Sequence, residues 1–383
     1  MLIRNGSVLL PDGTLAESDL LLDGDRIGAV VPRGAAGEDA AQGTDGQVVD
    51  ASGCVVAPGL IDLHCHAAMG HDFSRGTEQD IQAMADFELS QGVTAFCPTS
   101  MTFPEDVLAR SMRAAAAHAN ERGARVVGVN MEGPFISYER RGAQNPDYIQ
   151  RPDAALVERL QQEAGGLIRL VDVAPEVPGA LELISQVTPD IRVSLAHTAC
   201  TYEQAQAAFD AGARELTHIY NAMPPFAHRA PGPIGAAFDD ERVSVELIAD
   251  GIHVHPSVVR ATFALFGASR VILISDSMEA AGLVDGSYEL GGQRVLVHGR
   301  RATLEDGTIA GSVTSLLGCV LCCVREMGIP MADALVAATA SPARALGISE
   351  ERGLIAPGRV ADVVVLGPDM GLAHVVQAGR LVR

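Results

Sequence analysis

Eight apolar runs of strand length recur through the middle of this chain, and segments of helical spacing separate them. The runs cover residues 59–63, 93–97, 125–130, 167–173, 191–196, 215–217, 243–248 and 271–275. Such alternation calls for a parallel sheet, because parallel neighbours need a crossover and a helix is the usual one. Eight is the number of strands that closes a (β/α)8 barrel. The intervening helices carry their own start and stop signals. Thr77 caps a helix that runs to Gln91 and stops before Gly92, and Pro104 opens a second that is expected to reach Arg122 ahead of Gly123. Thr201-Tyr-Glu-Gln204 is a capping box opening an alanine-rich helix that ends near Gly212.

The two ends of the chain follow a different pattern. Short runs at 2–5, 7–10, 19–23 and 26–31, and again at 361–367 and 375–382, are rich in Val, Leu and Ile and are punctuated by Pro-Asp-Gly and Asp-Gly-Asp turns. The expected fold is therefore α/β: a (β/α)8 TIM-type barrel over residues 57–346, flanked by a small β-sandwich module that 1–56 and 347–383 build together. Gly, Ala and Asp dominate 34–46, which reads as a loop.

Metal-capable side chains stand at the ends of five of the eight runs: His64 and His66 after the first, Glu132 after the third, His197 after the fifth, His218 after the sixth and Asp276 after the eighth. In a barrel of this type the C-terminal strand ends form one mouth, so these residues are expected to converge there. Positions i and i+2 of a strand share a face, which points His64 and His66 inward together and Cys65 away. After Glu132, Gly133 and Pro134 are expected to turn the chain out of the strand and leave the carboxylate at the rim. Imidazole and carboxylate donors suit one or two divalent ions, with zinc, iron, cobalt and manganese all served by them. A metal lowers the pKa of a bound water to about 7, so Asp276 at the last strand end is placed to take and return a proton. All 28 basic residues are arginine. The absence of lysine removes a Schiff base, a P-loop lysine and a carbamylated bridging lysine from consideration.

A formal net charge of −20 argues against nucleic acid or an anionic membrane as a partner, since either demands a basic surface. A small anionic molecule would instead be met by single arginines in loops. No uninterrupted run of about 18 apolar residues exists to span a bilayer, and the N-terminus reaches Asn5-Gly-Ser too soon for a signal peptide. Seven scattered cysteines, an odd number, do not form a disulfide framework and fit a reducing, cytoplasmic compartment. Cys319, Cys322 and Cys323 would share one helix face and are expected in the core.

The motifs around these residues resemble the amidohydrolase superfamily and, within it, the N-acetylglucosamine-6-phosphate deacetylase family. They are Ala57-Pro-Gly-Leu-Ile-Asp-Leu-His-Cys-His66, Met131-Glu-Gly-Pro-Phe135, Gly142-Ala-Gln-Asn-Pro146, Ala196-His-Thr198, Thr217-His-Ile-Tyr-Asn-Ala-Met223, His228-Arg-Ala-Pro-Gly232, Asp250-Gly-Ile-His253, Ser275-Asp276 and Ile309-Ala-Gly-Ser312. The resemblance implies that Glu132, His197 and His218 hold the main metal, that His64 and His66 add a second, and that Asp276 is the general base and acid. It further implies substrate contacts from Ala143, Asn221 and Ala222, with His253, Ile309, Ala310 and Gly311 lining a sugar pocket. In that reaction His253 can also donate a hydrogen bond to the developing oxyanion. Arg229 is the first choice for a bidentate phosphate contact, with His228 beside it. The implied activity is hydrolysis of the acetamide of N-acetyl-D-glucosamine 6-phosphate by a homodimer. The same chemistry on N-acetylgalactosamine 6-phosphate is the alternative, and a non-catalytic sugar-phosphate binder is the reading from another class. Gln144 stands where many relatives have histidine, and Ala67 and Ala68 stand where glycine is common.

Overall fold

The computed structural model describes residues 1–35, 47–188 and 190–383. Of the loop expected over 34–46, all but residues 34 and 35 lie outside the described residues. Eight parallel strands, Leu60–Cys65, Val93–Ser100, Val129–Phe135, Ile168–Val173, Arg192–Leu195, Glu215–Leu216, Ser244–Ile248 and Val271–Ile274, pair with their neighbours in chain order. The eighth meets the first where Asp276 N donates to His64 O at 2.8 Å and Cys65 bridges Ser277, which closes the barrel.

These strands read as largely apolar runs because both of their faces are covered. Val171, Val193, Val245 and Leu273 face the helices, while Ile61, Ala95, Cys97, Leu170, Ile248, Ile272 and Ile274 pack together inside. The capping signals at Thr77 and Thr201 are both realised: the helices are Glu78–Ser90 and Tyr202–Ala211, and the second carries the full capping box with Gln204. Cys319, Cys322 and Cys323 lie on the helix Leu316–Arg325 and are buried in the main apolar cluster.

At the ends of the chain, Leu2–Leu9, Leu15–Asp23, Arg26–Pro32, Val48–Asp50 and Val55–Pro58 join Val363–Leu366, Leu372–Gln377 and Arg380–Leu381 in one eight-stranded sheet. The two termini meet where Val55–Pro58 pairs antiparallel with Val363–Leu366. Period-2 alternation then divides the burial. Val363 and Val365 pack with Ile3, Leu20, Ile27 and Val376 in the core of this module, whereas Val364 and Leu366 belong to the cluster that surrounds the barrel. Each such buried valine or leucine contributes roughly 1.5–3 kcal/mol.

Three expectations need correction. The helix opened by Pro104 is Glu105–Ala117 and stops short of Arg122. Asn120 takes over from there: its side chain bonds Val126 N at 2.8 Å and Val126 O at 3.2 Å, offering the backbone a partner that competes with helix. The third strand is Val129–Phe135, so Glu132 sits inside it and does not follow it. Gly133-Pro134 bends this strand without ending it, through a register shift against the fourth strand between Met131 and Phe135. Finally, a three-stranded antiparallel sheet of Gly286–Leu290, Gln293–His298 and Arg301–Thr303 follows the eighth strand, in a stretch to which the sequence reading assigned no element. Its apolar side packs Leu290, Val295 and Val297 against Met101, Ala143 and Met278 beside the barrel mouth.

Candidate metal centre

The six metal-capable residues converge at the C-terminal end of the barrel in two triads. Glu132 Oε1 lies 3.0 Å from His197 Nε2 and 3.1 Å from His218 Nε2, and the two imidazole nitrogens are 3.2 Å apart. His66 Nε2 lies 3.3 Å from His64 Nε2 and 3.2 Å from Asp276 Oδ1. Glu132 joins the triads, with His64 Nε2 at 3.7 Å from Oε1 and His66 Nε2 at 3.5 Å from Oε2. Donors that share an ion at about 2.0–2.1 Å stand roughly 2.9–3.4 Å apart. The spacing within Glu132, His197 and His218 therefore suits a metal, and so does that of His66 with His64 and Asp276. Cys65 points the other way, into a buried group with Asp62 and Glu88.

Three of these residues are held in the left-handed backbone region although none is glycine: φ is +44° at His197, +31° at His218 and +48° at Asp276. The surroundings pin each one. Ser137 N donates to His197 O, Asn221 N to His218 O, and Ser312 N to Asp276 O at 2.7 Å. Gly133 matters for a different reason, because a β-carbon there would lie 2.2 Å from Thr102 Oγ1.

A ring of outer partners orients the donors. His64 Nδ1 is 3.1 Å from Glu246 Oε2, His66 Nδ1 is 3.1 Å from Thr99 O, and His197 Nδ1 is 3.0 Å from Arg140 O. Each of these contacts leaves Nε2 to face the centre. Gln144 accepts from Thr102 N at 2.8 Å and donates its amide to Glu132 Oε2. Glu246 and Gln144's contact with Glu132 were not found by sequence reasoning. A carboxylate inside the apolar run 243–248 was the available signal for the first.

The electrostatics follow from burial. Burial pushes the His64 imidazole down to about 4, so the ring is neutral and one of its nitrogens carries a lone pair. Burial also opposes a charge on His66, but the hydrogen bond it donates to Asp276 and the charge of Glu132 overcome it and lift that group to about 9. Asp276 stays below its ordinary value despite burial, because His66 bonds to it. Glu132 is held well below the carboxylate range, again against burial, by the charge and hydrogen bond of His197. Glu246 moves the opposite way: burial raises it well above its usual value, and the charges of Glu215 and Asp172 add to that.

The triads open on a cavity of about 260 Å³ lined by His66, Glu132, His197, His218 and Asp276 and, of the expected substrate contacts, by Ala143, Asn221, Ala222, His253, Ile309 and Gly311. Ala310 is fully buried behind it, and His228 and Arg229 are exposed on the loop after the sixth strand, outside the lining. Met101, Leu290 and Thr308 are lining residues that the sequence did not suggest. His253 is anchored from behind, its Nδ1 2.8 Å from Asp250 Oδ2, and burial's pull on its pKa is outweighed by that bond, which raises it.

The profile of the amidohydrolase family matches residues 55–382. The chain is similar to an N-acetylglucosamine-6-phosphate deacetylase of Bacillus subtilis (strain 168), 37% identical over 85% of this chain and 84% of the relative. It is nearly as similar to an N-acetylgalactosamine-6-phosphate deacetylase of Escherichia coli O157:H7, 36% identical over 84% of this chain and 85% of the relative. Among solved structures, N-acetyl-D-glucosamine-6-phosphate deacetylase from Mycobacterium smegmatis superposes with a TM-score of 0.92 at 33% identity, covering 100% of both chains. The corresponding enzyme from Thermotoga maritima gives 0.88 at 28% identity, over 100% of this chain and 99% of the other. With its barrel, its two donor triads and a family match that spans both, the chain belongs to the amidohydrolase family.

Proposed function

We propose that the chain hydrolyses the acetamide of N-acetyl-D-glucosamine 6-phosphate to D-glucosamine 6-phosphate and acetate. The observation that carries this reading is the Glu132, His197 and His218 triad, its donor atoms 3.0–3.2 Å apart, on a cavity wall shared with Asp276 and His253. Glu132, His197 and His218 would hold one divalent ion, and His64 with His66 beside Asp276 a second. The chemistry such an ion supplies is Lewis acidity at the amide carbonyl and a water of lowered pKa. Zinc is the choice we favour for this set of nitrogen and oxygen donors, ahead of iron, cobalt and manganese.

Asp276, ionised in its buried setting, takes a proton from the attacking water. It returns that proton to the amine nitrogen as the carbon–nitrogen bond breaks. His253 donates from Nε2 to the carbonyl oxygen as negative charge develops there, a type of contact worth about 10²–10³ in rate. Ala143, Asn221, Ala222, Ile309 and Gly311 bound the sugar. Arg229 and His228, exposed and outside the lining, fit a homodimer in which they reach the phosphate held by the neighbouring subunit. A cytoplasmic site of action is supported by seven cysteines that are all unpaired, and no described helix is long and apolar enough to cross a membrane.

N-acetylgalactosamine 6-phosphate is the second reading, favoured by the near-equal identity to the Escherichia coli relative, 36% against 37%. Turnover of the two epimeric sugar phosphates in metal-replete buffer separates them, and failure on both sinks the proposal. Asp276→Asn is expected to lower kcat by about 10²–10⁴ while metal content, read by elemental analysis, is kept. Near-normal kcat would remove Asp276 from proton transfer.

A further inference from the structure

A second cavity, of about 540 Å³, lies at the opposite end of the barrel, where the strands begin. Arg169 near the start of the fourth strand, Arg192 opening the fifth, Arg214 just ahead of the sixth and Arg344 on the helix Ala340–Ala345 all line it. Among the described lining residues Asp190 is the single acid. The whole chain has 48 acidic and 28 basic residues, so a cavity drawn from its composition would hold more acids than bases. This one inverts the ratio.

Three of its four guanidinium groups, those of Arg169, Arg214 and Arg344, form no direct ion pair with a described residue. Arg214 is steadied by the neutral carbonyls of Phe209 and Ala213, each at 2.6 Å, and forms no ion pair with a described residue. Arg344 is held by Ser269 O and Ser341 Oγ, both at 3.1 Å. The side chain of Arg169 makes no hydrogen bond or ion pair with any described residue, yet its stem is seated, since a β-carbon on Gly128 would lie 2.4 Å from its Cγ. Among the described residues Arg192 is the one of the four in a direct ion pair, with the buried Glu215. Burial lowers the pKa of Arg214 and of Arg344; at Arg214 the charge of Arg242 adds to the effect, and the carboxylates of Asp240 and Asp210 oppose it. Guanidinium groups fixed by neutral acceptors keep donors for a planar or tetrahedral oxyanion, and Arg favours phosphate by pairing with two oxygens at once. The volume falls in the range of small-molecule pockets, about 300–1,000 Å³.

We infer that this basal cavity is a binding site for a phosphorylated small molecule, separate from the metal-lined mouth. The test is calorimetric titration of inorganic phosphate into the metal-loaded protein at fixed ionic strength, with chloride as the control anion. Wild type is expected to take up phosphate at this site in addition to any at the mouth. The double variant Arg169→Ala/Arg344→Ala should lose that binding component, or at least tenfold in its affinity, with kcat/KM for the sugar phosphate within about twofold of wild type; tenfold corresponds to about 1.4 kcal/mol. Arg192 is left intact, because its removal would strand Glu215. Should the double variant fail to fold, Arg169→Glu alone serves, since that side chain ties nothing together, and it should weaken the same component. Identical phosphate isotherms for wild type and variant, displacement by chloride at equal ionic strength, or no phosphate uptake up to about 10 mM would each overturn the site; 10 mM is weaker than the roughly −4.1 kcal/mol of a millimolar complex.

Discussion

Asp250→Asn isolates the group that stands behind His253. In the native protein Asp250 Oδ1 accepts from Ile252 N and His253 N at 2.8 and 2.9 Å, while Oδ2 faces His253 Nδ1 at 2.8 Å. Both side chains are almost wholly buried, so this bond is charge-assisted and desolvated, a kind worth about 1.5–3 kcal/mol. With Nδ1–H committed to the carboxylate, Nε2 carries a hydrogen only in the imidazolium. Native activity is therefore expected to fall on the alkaline side, as pH passes the raised pKa of His253 and the Nε2 donor is lost. Asparagine reverses the tautomer: its amide nitrogen donates to Nδ1 and puts the hydrogen on Nε2 of a neutral ring. Asp250→Asn is accordingly expected to lower kcat by about 10–100-fold, the range that 1.5–3 kcal/mol allows, and to abolish the alkaline limb that His253 supplies.

The same substitution has a stability signature with a defined window. His253 has a folded pKa above its ordinary value of 6.5, so its share of the pair's stabilisation is complete below 6.5 and is lost as pH rises through the folded value. Asp250 has a folded pKa below 3.8, so its share is present above 3.8 and is lost as pH falls through the folded value. Thermal unfolding of wild type and Asp250→Asn should thus differ most between about 4 and 6.5 and converge on either side. An unchanged alkaline limb in the kcat profile of the variant, with the same metal content, would refute the assignment of His253 as the donor.

Other perturbations follow from individual contacts. Glu246→Leu removes the partner of His64 Nδ1 and should weaken metal affinity by about 10–100-fold in a chelator competition; unchanged affinity would remove His64 from the ligand set. Gly133→Ala places a β-carbon 2.2 Å from Thr102 Oγ1 at φ +76°, and is expected to cost at least about 1–3 kcal/mol in denaturant unfolding and to reduce metal content by moving Glu132. Thr201→Ala breaks the capping box on Tyr202–Ala211 and should cost about 1 kcal/mol with kcat unchanged, a control that separates stability from chemistry.

What could be read in the sequence, and what could not, divides along physical lines. The barrel strands were legible because a strand covered on both faces is mostly apolar, as Val245, Leu247 and Ile272 are in their segments. The metal-capable residues were legible for the converse reason, since His197 or Asp276 at the end of such a run is costly to bury without a partner. Side-chain partnerships were not. Glu246 meets His64 across 182 residues, and Gln144 folds back onto Glu132 through a loop whose path no local pattern dictates. Glu132 was misplaced relative to the third strand because Gly-Pro ordinarily ends one, and here the register shift lets it continue.

The turns at His197, His218 and Asp276 show why the site in particular resists a local reading. A left-handed backbone normally marks itself with glycine, and these positions carry imidazole or carboxylate at φ +44°, +31° and +48°. Such strain costs of order 1–3 kcal/mol at each residue. It persists because the chain around it is tied on both sides: Asp276 N donates to His64 O at 2.8 Å and Ser312 N to Asp276 O at 2.7 Å, so the strained residue lies within the hydrogen bonding that closes the barrel. Replacing Asp276 by glycine would relieve the backbone and lose the carboxylate, whereas Asp276→Asn keeps the strained turn and removes the charge. If the turn is what aims this side chain at His66, the glycine variant should be the more stable of the two in denaturant, while both lose the proton-transfer step. A glycine variant less stable than the asparagine variant would mean that the turn at Asp276 stores no strain that removing the side chain relieves.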